Sequence, residues 1–139
     1  MKKFLIIACG LLSAAVQAQT STVTGSFGHA FTGKANEAVW TVNANGATPL
    51  LVTVGAKTSV KAFVLTKEQR MDLWDKLSFD SSTGSFEQAD CIGTSEEYIC
   101  NVPQKSRALI SDLKNRKSDF FHFDSFGGLM EINKVPSSK

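Results

Sequence analysis

His122, Asp124 and Glu131 form the only trio in this 139-residue chain with the makings of a metal site, one imidazole and two carboxylates. Zinc and non-haem iron both accept such donors. They lie on two apolar runs, 120–126 and 129–135, that flank Gly127-Gly128, a pair suited to the positive backbone angles of a tight turn. A two-residue loop pairs Phe123 with Ile132, and a four-residue loop pairs Phe123 with Met130. Both registers put Phe121, Phe123, Met130 and Ile132 on one face and His122, Asp124, Glu131 and Asn133 on the other. A half-solvated hairpin carries polar residues on its wet face by default, and Phe120 and Phe126 share that face. The expectation is therefore no bound metal and no cofactor, with the trio as the alternative.

The second group is Cys91 and Cys100 with the residues between them, CIGTSEEYIC. An even cysteine pair in an oxidising compartment predicts a disulfide, which by loop entropy stabilises the fold by roughly 2.5 to 3 kcal/mol. Redox pairs usually sit two residues apart and structural zinc sites need four ligands, so neither pattern fits. Glu96, Glu97 and Tyr98 would then stand on a constrained backbone. Tyrosine is a common anchor in interfaces, and an acidic pair suits a basic target cleft.

Catalytic inventories are short. Apart from the trio, His29 is the only other histidine, and Gly25-Ser26-Phe27-Gly28 lacks the spacing of a nucleophile elbow. Neither a phosphate-binding glycine loop nor a calcium-binding loop is present. The string TGSF occurs at 24–27 and 83–86, too short for a structural repeat. An enzyme is not expected.

Compartment is set by the first residues, MKKFLIIACGLLSAAVQAQ. Lys2 and Lys3, an apolar stretch over 4–12, and small residues around Ala18 predict a secretory signal peptide, residues 1–18, cleaved after Ala18. Ile6-Ile7-Ala8-Cys9 has a lipobox look, but the apolar stretch ahead of Cys9 is too short for lipidation. No run approaches the roughly 20 apolar residues of a transmembrane helix. Loss of Lys2 and Lys3 takes the balance of 15 basic and 13 acidic residues to neutrality, so nucleic acid is not expected as a partner. What remains, 19–139, suits a single small secreted or periplasmic domain.

These groups need elements to hold them. Residues 19–37 read as a lead-in or edge strand, and strand-like runs follow at 38–44, 50–55 and 59–65, with Asn45-Gly46 as a turn signal. Thr66 with Gln69 three residues later predicts a capping box, and Met71, Trp74 and Leu77, widened by Leu73, give the helix an apolar face that makes Trp74 a core residue. A short strand over 98–102 precedes a second helix, opened by Pro103 and reaching about Asn115, with Leu109, Ile110 and Leu113 as its apolar face. The predicted class is α+β: an antiparallel sheet of five to seven strands, a meander plus a C-terminal hairpin, packed with two helices and one disulfide.

Three functional expectations follow. The first is a non-enzymatic periplasmic or secreted module that binds a protein partner, of inhibitor or immunity type against an envelope-acting enzyme, using Glu96, Glu97 and Tyr98. The second is a metal-binding protein or small metal-dependent enzyme built on His122, Asp124 and Glu131. The third is a subunit of an envelope or secretion assembly, with the segment 19–24 pairing by strand addition.

Overall fold

The computed structural model describes residues 21–31, 37–44, 48–126 and 128–136. The signal segment with Cys9, the Asn45-Gly46 turn and Gly127 lie outside the described residues.

Among the described residues nine antiparallel strands form one sheet: β1 Gly25–His29, β2 Trp40–Asn43, β3 Leu50–Thr53, β4 Val60–Lys61, β5 Phe63–Val64, β6 Asp90–Gly93, β7 Glu97–Asn101, β8 Phe120–Asp124 and β9 Leu129–Val135. Their order is β4-β3-β2-β1-β9-β8-β7-β6-β5. The two end strands are consecutive in the chain, separated only by Ala62. One segment therefore pairs with β3 on one side and with β6 on the other. Ala62 marks the handover: its N–H donates to the Pro49 carbonyl, while that of Leu65 donates to Cys91. The sheet thus curls into a nearly closed up-and-down barrel, the arrangement that removes free strand edges.

This corrects the predicted class. The strands outnumber the expected five to seven, and the helices are short: α1 Lys67–Lys76 and a single turn, α2 Gln104–Arg107. The second helix ends early because consecutive turns follow Arg107, burying Ile110 and Leu113 while Leu109 stays 55 % exposed. Strand β6 was hidden inside the supposed disulfide loop. β1, expected as a lead-in or edge, lies inside the sheet between β2 and β9.

Side chains alternate across the barrel wall. Phe27, Trp40, Val42, Leu51, Ala62, Ile92, Ile99 and Ile132 point inward and form one buried cluster with Val23. Cys91, Cys100, Phe121 and Phe123 point outward from β6, β7 and β8 into a second cluster, roofed by Leu73 and Trp74 of α1 and by Phe79, Phe86, Ile110 and Leu113. The predicted capping box is present, with the Thr66 hydroxyl accepting from the Gln69 N–H and the Gln69 side chain accepting from the Thr66 N–H. The Glu68 carboxyl is held below its usual range, first by its backbone hydrogen bond and then by the Thr66 hydroxyl. Ser78 adopts the left-handed φ of 59° that stops the helix. Trp74 is fully buried and donates to the Ser85 hydroxyl at 2.9 Å, so it is a core residue as expected.

The two barrel mouths differ. Residues 21–24 cross one of them, placing Val23 in the core, where Asp90 accepts from the Ser21 hydroxyl at 3.0 Å and from the backbone and hydroxyl of Thr22. At the other mouth lie the ends of β1 and β3, where Phe31 is 73 % and Val54 65 % exposed, and the β6–β7 and β8–β9 turns.

Candidate functional site

Cys91 and Cys100 are bonded, directly opposite one another in the β6–β7 ladder and fully buried. The ten-residue segment between and including them is accordingly a hairpin rather than an open loop. Its tip is a tight turn in which the Thr94 N–H donates to the Glu97 carbonyl, while the Thr94 hydroxyl accepts from the N–H groups of Glu96 and Glu97. That geometry sends the three predicted contact residues in different directions. Glu96 is exposed at the tip, Glu97 turns into the barrel mouth, and Tyr98 lies on the outer wall.

Within the mouth, Glu97 Oε2 lies 2.7 Å from His122 Nε2, and both side chains are largely buried. The His122 ring stacks on Trp40 with centroids 4.4 Å apart, and Trp40 meets His29 edge-on at 5.3 Å. Phe31 continues the series at 5.5 Å from His29, whose Nδ1 rests against the Met130 sulfur. Such offset and edge contacts fix ring orientations beyond what apolar burial alone supplies. The result is a chain of rings across the mouth, ending at a carboxylate.

The predicted metal trio is divided by the hairpin register. Phe123 pairs with Leu129, and Phe121 with Glu131. The turn holds three residues instead of two or four, so the partner strand is shifted by an odd number of positions and every predicted face assignment on it reverses. His122 shares the inner face with Met130 and Ile132, while Glu131 and Asn133 are on the outside. There Glu131 accepts from the backbone N–H groups of Lys117 and Ser118, at 2.8 and 2.7 Å, and Arg116 stands 3.9 Å away. Asp124, at the strand end, accepts from the N–H groups of Phe126 and Gly128 and so shapes the turn. Among the described residues no group of three histidine, cysteine or acidic side chains could hold a metal ion.

Tyr98 leads to a different feature. Its ring lies across Gly93, so close that a Cβ on Gly93 would come within 2.5 Å of a ring carbon. Beyond the ring opens a cleft of about 380 Å³ between the C-terminal end of α1 and the two turns, lined by Leu73, Lys76, Leu77, Tyr98, Asp124 and Phe126 among others. A smaller cavity of about 170 Å³ continues it past Phe63 and Asp72, sharing Leu73, Lys76 and Tyr98. Phe126, in the β8–β9 turn, is 98 % exposed at the rim. The apolar run 120–126 predicts a strand through Phe126, whereas β8 ends at Asp124. The position of Phe126 between Ser125 and Gly127, two turn-forming residues, was the available signal that it belongs to the turn.

Fold and cleft together define a class: a small disulfide-bonded antiparallel barrel with a buried apolar interior and an outer cleft beside Tyr98. Comparison with protein-family models, with curated protein sequences and with solved structures finds no match.

Proposed function

We propose that this chain is a non-catalytic protein-binding module of the periplasm or extracellular space, of inhibitor or immunity type, and that it engages its partner through the Tyr98 cleft. The observation that carries the reading is Phe126, 98 % exposed beside a concave, partly apolar surface. An aromatic held in water next to a ready pocket gains most when a second surface covers both, and such residues dominate binding energy in protein interfaces. The cleft is framed by a helix, a disulfide-linked hairpin and a carboxylate-capped turn, so little ordering entropy is lost when it is filled. Compartment rests on the signal-like N-terminal sequence, with the buried disulfide in keeping with an oxidising environment. No helix among the described residues is long and apolar enough to cross a membrane.

The test is capture of a partner from envelope extract by the oxidised protein, in parallel with Phe126→Asp and with Val54→Asp, which alters an exposed apolar residue away from the cleft. A protein retained by the native chain and by the Val54 variant but lost with Phe126→Asp supports the reading. Equal retention by all three overturns it, as does the absence of any specific partner.

A further inference from the structure

The chemistry around the cleft says what kind of side chain it would receive, an inference that rests on the protein-binding reading above. Three carboxylates stand on or beside the groove: Asp124 at its rim, Asp72 in its continuation and Glu96 at the adjoining hairpin tip, whose carbonyl accepts from the Ser125 N–H. Lys76 is the one cation among the lining residues. Tyr98, Leu73 and Leu77 line the groove and Phe126 stands at its rim, two aromatic and two aliphatic side chains. The cleft also sits at the carbonyl end of α1, where the helix dipole favours positive charge. We propose that the Tyr98 cleft is the seat of an arginine side chain of the partner protein. Its methylene stem would lie along Leu73 and Leu77, its planar guanidinium would stack against an aromatic ring, and one of its N–H groups would meet Asp124 Oδ2, since Oδ1 is taken by the turn.

The alternatives differ in their response to Lys76. An acidic side chain would use that ammonium as its partner, an apolar one would be indifferent to its charge, and an arginine is repelled by it. Removing the ammonium therefore separates the three by sign.

The probe is a capped glycine-arginine-glycine tripeptide, titrated into the oxidised full domain and followed by NMR at the Tyr98 and Phe126 ring signals. Its counterparts carry citrulline, which keeps the shape and loses the charge, or glutamate. The arginine peptide is expected to move both rings saturably, with the citrulline peptide at least about tenfold weaker. Asp124→Asn, which keeps the oxygen that caps the turn, should weaken the arginine peptide about three- to tenfold, and Lys76→Ala should tighten it. Equal binding of citrulline, weaker binding in Lys76→Ala, preference for glutamate, or no movement of either ring overturns the proposal. Partner capture sensitive to Phe126 but indifferent to Asp124→Asn and Lys76→Ala would leave the protein-binding reading standing and remove the arginine.

Discussion

Reduction of the Cys91–Cys100 bond should cost this domain a large part of its stability, and the amount can be worked from its place in the fold. The bond closes a ten-residue segment, the two cysteines being nine apart, and on the chain-entropy model such a loop contributes about 2.7 kcal/mol at 25 °C. Both sulfurs lie in the outer cluster with no exposure, against Trp74, Phe121 and their neighbours. Two thiols occupy more room than one disulfide, and overpacking in a filled core adds about 1 to 3 kcal/mol. The expected total, about 4 to 6 kcal/mol, compares with about 5 to 15 kcal/mol for the entire stability of a typical domain. Urea unfolding of the oxidised protein, and of protein reduced while unfolded and then refolded, measures the difference directly. Because neither sulfur is accessible, a reductant added to the folded protein should act only as fast as the chain opens. A difference below about 1 kcal/mol would refute the loop-entropy argument, and rapid reduction of the folded protein would refute the burial.

Two further perturbations address the barrel mouths. Asp90→Ala removes the acceptor for Ser21 and Thr22, and should cost about 2 kcal/mol while raising hydrogen exchange at Thr22 and Val23 ahead of the remaining strands; uniform exchange across the barrel would show that residues 21–24 are no separate closure. Glu97→Gln and His122→Phe, singly and together, should reveal a coupling of about 1 to 2 kcal/mol for the bond across the open mouth; additive losses would show that the two side chains do not depend on one another.

How far the sequence reads correctly depends on the range of the interaction involved. The start of α1 was legible because Thr66 and Gln69 complete their contacts within one turn, and Pro103 likewise opens α2. The face of α1 was less so. Met71, placed on the apolar stripe, is 39 % exposed, while Leu73 and Trp74 carry the contact with the sheet. The hairpin register failed for a local reason that could be read in retrospect. Gly127-Gly128 looks like the turn by itself, yet the Asp124 carboxylate gathers the N–H groups of Phe126 and Gly128 and lengthens it to three residues. The register that accompanies this three-residue turn puts Glu131 on the outer side of the wall. The pairing of β1 with β9 joins segments some hundred positions apart, and no local pattern encodes it. Of the predicted contact trio, Tyr98 lines the cleft, Glu96 borders it and Glu97 belongs to the mouth, a division that follows from strand alternation once β7 is known to begin at Glu97.

The bend at Ala62 has a consequence for self-association. The cylinder is held shut by two ladders of only two residue pairs each, Leu50 and Leu51 against Lys61 and Val60, then Phe63 and Val64 against Gly93 and Ile92. Every other neighbouring pair of strands shares three or more. This is the seam along which the molecule would unzip, and unzipping would uncover the sides of β3 and β6 together, beside a segment carrying exposed Val60 and Phe63. Two opened molecules could then trade that segment, each closing the other. The same short stretch that closes one cylinder is thus the piece that a swapped dimer would exchange.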